Sequence, residues 1–160
     1  MQLTQTSRNI VIAVIAGFIA VIGLIVALTS VRPEPAVQGS ITSTLEKVED
    51  AGLNATALSP SDVYGEQWVA AGIICPGMDD SLVKQQFQVE PQLVGLREGQ
   101  TVEEHKNMLI LRDQQGGAHV EEFSRYDVDL CTAPVQGYFN TQMLMPLIKT
   151  EIDNWALALQ

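Results

Sequence analysis

From Ile10 to Leu28 the chain runs for nineteen residues without a charge, an amide or a proline. A soluble helix needs a polar face, and this run has none. As a helix it rises about 28 Å, close to the hydrocarbon thickness of a bilayer. The pattern predicts a transmembrane helix over 10–29, with residues 1–9 as a short cytoplasmic end. Small side chains recur inside it at Ala13, Ala16, Ala20, Gly23 and Ala27, in alternating steps of three and four. That spacing keeps one stripe facing a neighbour, and small residues there allow close backbone approach, so these five form an expected helix-packing seam. Ile12, Phe18, Ile22 and Ile25 would face lipid or adjoining grooves.

Beyond the run the pattern breaks into short elements. Residues 30–39, with Pro33 and Pro35, read as an extended stem, and 40–160 as one domain. Ile41, Leu45 and Val48 form a helical stripe, with Ser43 and Glu46 as a capping box and a stop near Gly52. Ser59-Pro60 opens a turn or short helix, and Trp68 to Cys75 reads as a buried strand ending at Pro76-Gly77. Asp79, Asp80 and Ser81 begin a helix through Leu82, Val83 and Phe87. Val89 to Leu96, broken by Pro91, is an edge strand or loop. Residues 108–112 and 118–123 flank a glycine-containing connection of hairpin length. Tyr126, Val128 and Leu130 alternate with Asp127 and Asp129, predicting a strand with one wet face. Leu147, Ile148, Ile152, Trp155 and Leu159 predict an amphipathic helix from Pro146 onward. The expected class is α+β: one N-terminal transmembrane helix, then a small extracytoplasmic domain of helices packed on a mostly antiparallel sheet.

Charge and processing signals bear on the side of the membrane. All nineteen acidic residues follow the apolar run, beginning at Glu34, against eight Lys and Arg, a formal charge of about −11 for that part. Arg8 and the α-amino group flank the run on its amino side, favouring a cytoplasmic N-terminus and an extracytoplasmic domain at the plasma membrane. The apolar core exceeds the roughly 7 to 15 residues of a cleaved signal, and no A-x-A-like site follows, so an uncleaved anchor is expected. The acidic balance disfavours nucleic acid and flat docking on anionic lipid, while leaving a basic protein surface open.

The chemistry-bearing residues are few. Cys75 and Cys131, the only cysteines, each end an apolar stretch before a proline-bearing turn and suit a disulfide. On the chain-entropy model such a bridge is worth about 3 to 5 kcal/mol. There is no Cys-x-x-Cys redox motif. His105, within Glu103-Glu104-His105-Lys106, lacks the second histidine of a zinc motif and reads as a solvated turn, and His119 as an exposed hairpin edge. Asp79 with Asp80 and Glu121 with Glu122 lack the alternating ligands of a calcium loop and read as surface carboxylates. Asn54-Ala55-Thr56 matches a glycosylation acceptor. No nucleophile elbow or phosphate loop occurs, and no catalytic, metal or cofactor residues are assigned.

Two function classes follow. One is a nonenzymatic accessory subunit whose helix packs along a larger membrane complex while its acidic domain caps the outer surface. The other is a binding or hydrolytic domain for which the helix is only a tether. The anchor at 10–28, the proline-bearing stem and the two-cysteine domain around Cys75-Pro76-Gly77 and Cys131 resemble, in architecture, small single-pass accessory subunits of actinobacterial respiratory supercomplexes. In these a cytochrome bcc complex associates with an aa3 oxidase. The resemblance implies a stabilising or assembly role beside cytochrome and oxidase subunits, with the lipid bilayer as its setting and no cofactor on this chain. It transfers no functional residue.

Overall fold

The computed structural model describes residues 37–132 and 135–158. The anchor and its seam, Ala13, Ala16, Ala20, Gly23 and Ala27, lie outside the described residues. Among the described residues no helix is long and apolar enough to cross a membrane. The elements are, in order, α1 (Ile41–Asp50), β1 (Ala55–Leu58), α2 (Pro60–Tyr64), β2 (Trp68–Ile74), α3 (Asp80–Phe87), a 3-10 turn (Pro91–Val94), β3 (Lys106–Asp113), β4 (Ala118–Ser124), β5 (Val128–Asp129), β6 (Tyr138–Asn140), β7 (Met145–Lys149) and β8 (Trp155–Leu157). The fold is α+β, but with two four-stranded sheets rather than one: β1-β7-β8-β5 and β4-β3-β2-β6. Every pairing is antiparallel except β5 with β8.

Strand alternation divides the interior into two cores. Ala71, Ile73, Leu109, Leu111 and Phe123 face the first sheet, meeting Met145, Leu147, Trp155 and Leu157, with Ile41 and Leu45 of α1 and Tyr64 of α2 packed alongside. Ile74, Met108 and Ile110 point the opposite way, onto Val83 and Phe87 of α3 and Val94 of the 3-10 turn. Gly72 allows the close approach of α3, since a Cβ there would stand 2.5 Å from Phe87 Cε1. The two sheets are also joined by polar and covalent links. Fully buried Asn107 donates from Nδ2 to the Val128 carbonyl at 2.8 Å and accepts from the Leu130 N–H at 3.2 Å. The disulfide Cys75–Cys131 spans the same gap, with Cα atoms 5.7 Å apart.

Local sequence explains the ends of the helices. Ser40, not Ser43, caps α1: its Oγ accepts the Ser43 N–H at 3.1 Å, which places Ser43 inside the first turn and dissolves the expected box with Glu46. Ser59 caps α2 with Pro60 at its first position, and Asp79 Oδ1 accepts the Leu82 N–H at 2.8 Å to open α3. Residues 89–96 are not an edge strand. Pro91 starts a single 3-10 turn, and Gly95, at φ 73°, ends it while Val89, Val94 and Leu96 bury.

Two further expectations are overturned. The C-terminal helix is instead the β7–β8 hairpin, because Met145, Leu147, Trp155 and Leu157 obey a period of two on either side of a turn at left-handed Asp153, φ 68°. Ile148 and Ile152, which completed the helical spacing, are exposed. The strand expected over 126–130 shortens to Val128–Asp129, and its wet face fails at Asp129, which is buried against Arg125.

Candidate functional site

The outer surface of the first sheet carries no charged side chain over β1, β7 and β8 between Ala55 and Ile148, and meets a charge only at Asp129 on β5. Register places Ala55 opposite Ile148 and Ala57 opposite Pro146, with Ala156 beside Ile148 on the next strand. Ala55, Ala57 and Ile148 are exposed, and Ala158 continues the surface through its N–H bond to the Pro146 carbonyl at 2.8 Å. At its margin the β6–β7 turn raises Met143 and Leu144, 48% and 57% exposed, over an apolar groove of about 230 Å³. Phe139, Pro146, Leu157 and Ala158 line that groove. The face is built on residues 55–58, 145–148 and 155–158, none of which carries a charge, in a chain whose net charge is −10. Sequence reading missed it, although the nineteen charge-free residues from Leu130 to Ile148 were a signal in plain view.

Ion pairs stand at two ends of this sheet. At one end Trp155 Nε1 and Lys149 Nζ both reach Glu49 Oε1, at 2.5 and 3.0 Å, tying β7 and β8 to α1. The hydrogen bonds from Lys149 and from the indole hold the Glu49 carboxyl below its ordinary range. Asp153 and Glu49 in turn hold the Lys149 ammonium above its own. At the β5 edge Arg125 closes on Asp129 from Nε and Nη2 at 3.0 and 2.8 Å, and Asn154 Nδ2 donates to the Arg125 carbonyl at 2.8 Å.

On the opposite flank, edge strand β4 turns His119 and Glu121 inward, correcting their reading as an exposed edge and a surface carboxylate. Tyr64 Oη donates to Glu121 Oε2 at 2.5 Å, and the His119 ring lies 6.3 Å from that of Tyr64 and 5.9 Å from that of Trp68. Burial, then the charge and hydrogen bond of Glu121, push the Tyr64 phenol far above its ordinary value. Tyr64 is the residue sequence reading passed over here, having no motif to mark it.

The remaining expected residues are scattered. His105 sits exposed in a turn with Nε2 3.3 Å from Glu103. Glu122 pairs with Lys106 at 3.2 Å, and Asp80 accepts from the Gly99 N–H at 3.3 Å while Asp79 caps α3. Asn54 is exposed just before β1, its carbonyl held by the Lys149 N–H at 2.8 Å. Among the described residues no three His, Cys, Asp or Glu side chains gather where they could hold a metal ion. The chain matches no protein-family model, no curated protein and no solved structure. The face over β1, β7 and β8, with its groove, is the candidate site, since exposed apolar side chains on neighbouring strands suit contact with another apolar surface.

Proposed function

We propose that this chain is a nonenzymatic, membrane-anchored accessory subunit that binds and stabilises a larger integral membrane complex. The observation that carries the reading is the segregation of charge: an acidic domain keeps the strands β1, β7 and β8 free of charge up to Ile148 and exposes Ala55, Ala57, Leu144 and Ile148. Isolated exposed apolar residues are ordinary, but several gathered on neighbouring uncharged strands suit the apolar core of an interface. The anchor supplies a second contact through Ala13, Ala16, Ala20, Gly23 and Ala27, where small residues suit a partner helix. The architectural resemblance makes cytochrome bcc and aa3 oxidase subunits the first partners to seek, with haem and copper carried by them.

The test is retention of the partner after gentle detergent extraction of the full chain. Leu144→Asp with Ile148→Asp places charge on the face, and Ala16→Leu with Ala20→Leu fills the seam. Each pair is expected to lower the amount of co-purifying partner at least about fivefold, the effect of losing roughly 1 kcal/mol of contact. Unchanged stoichiometry in both variants contradicts the reading.

A further inference from the structure

Among the described residues, strand β1 is the outermost strand of the first sheet and pairs only with β7. Its hydrogen-bond phase can be assigned. The Lys149 N–H donates to the Asn54 carbonyl, and Asn54 extends the register in which Ala55 faces Ile148. In an antiparallel ladder bonded and non-bonded pairs alternate, so Asn54, Thr56 and Leu58 point their peptide groups at β7. The Ala158 N–H bond to the Pro146 carbonyl places residue 146 on the β8 side, as the same phase requires. The N–H and C=O groups of Ala55 and Ala57 therefore point to the free edge.

Nothing in β1 blocks that edge. Protein edges are commonly blunted by lysine, proline, bulges or extreme shortness, or by charge. The other three edge strands of the two sheets follow this rule: β5 has two residues, β6 has three, and β4 carries Glu121 and Glu122. β1 is Ala-Thr-Ala-Leu, with no bulge, set in eleven charge-free residues from Ala51 to Ser61.

We propose that β1 is a strand-pairing edge whose occupant is β1 of a second copy of this chain, antiparallel, with Ala55 opposite Ala57 of the other copy. This register is self-complementary. Both outward residues meet outward residues, giving two bonded pairs, and the two-fold axis passes between the two Thr56 residues. The strand offers a basic partner no carboxylate, whereas this register lays the charge-free stretch 51–61 on itself, Ala51 against Ser61, with Thr56 at its centre. The inference goes beyond the accessory-subunit reading and does not depend on it.

Cysteine cross-linking in membranes holding the full chain tests the register. In Thr56→Cys the two new thiols face each other at a non-bonded pair, where Cα atoms stand about 4.5 Å apart, within disulfide reach. In Ala55→Cys they are displaced by two residues. Mild oxidation is expected to give at least about fivefold more disulfide dimer from Thr56→Cys. Adding Ala57→Pro, which removes an outward N–H and no internal bond, is expected to abolish that excess while tryptophan emission stays unchanged. Should the proline perturb emission, Ala55→Asp in its place brings a charge into the pairing and is expected to abolish the excess likewise. Equal yields at positions 55 and 56, or an excess that survives these changes, overturn the proposal. Loss of the cross-link with the membrane partner still bound overturns the strand pairing alone. Loss of the partner with the cross-link intact overturns the accessory reading alone.

Discussion

Trp155 and Glu49 are 106 residues apart in the chain, yet the indole Nε1 donates to the carboxylate at 2.5 Å. The bond fastens the C-terminal hairpin to the first helix, and Lys149, 3.0 Å from the same oxygen, completes the brace. Because Glu49 is held below its ordinary value of 4.5 by these two donors, the native state binds its proton less readily than the unfolded chain does. Its contribution to stability is complete above that value and is lost as pH falls through the depressed one. Thermal unfolding from pH 6 to pH 3 is expected to show a decline below about pH 4.5 that is shallower in Glu49→Gln. An identical pH profile in the variant would remove the brace from the account.

The Tyr64 phenol has the opposite sign. Burial and Glu121 raise its pKa, so its stabilising effect is present below the ordinary tyrosine value of 10 and is lost as pH rises above it. Tyr64→Phe is expected to cost about 1 to 3 kcal/mol at neutral pH, because Glu121 loses a charge-assisted donor, and to flatten the alkaline limb of the stability curve. Denaturant unfolding at pH 7 and pH 11 measures both.

Cys75 and Cys131 enclose a 56-residue separation between the two sheets. Loop-closure entropy for that length is worth about 4 kcal/mol at 25 °C. The Cys75→Ala, Cys131→Ala double variant is expected to lose a comparable amount in urea unfolding. A loss under about 1 kcal/mol would contradict the role given to the bridge.

Gly72 faces Phe87 at the packing of β2 on α3. Adding one methyl forces the aromatic ring out of place, and Gly72→Ala is expected to destabilise by about 1 to 3 kcal/mol. Phe87→Leu in the same chain should recover part of that loss, which a double-mutant cycle reads directly.

Much of the second sheet was legible because its signals are local. Trp68 to Ile74 is bounded by Gly65 and Pro76, and Asp113 to Gly117 carries the glycine and carboxylate that the β3–β4 turn needs, Asp113 Oδ1 accepting from the Gln115 and Gly117 N–H groups at 2.8 and 2.6 Å. The first sheet was hidden because its strands are short and meet only through distant pairing, as of Thr56 with Leu147 and Val128 with Trp155. At the C-terminal end Leu147, Ile148, Ile152 and Trp155 happen to satisfy a period near 3.6, while the buried set Met145, Leu147, Trp155 and Leu157 satisfies a period of two broken by a turn. Periodicity alone could not choose between them. The disulfide was readable from the cysteine count and from the place of each cysteine at the end of an apolar stretch. The apolar face was not, because alanines and a proline in short strands carry no motif; only the missing charge marked them.

The most direct test of the accessory-subunit account is to extract the unaltered full chain gently from its native membrane and identify what travels with it. The account expects integral membrane proteins at fixed stoichiometry, with haem absorbance if the respiratory resemblance holds. A monodisperse particle containing this chain alone, as one copy or two, would contradict it.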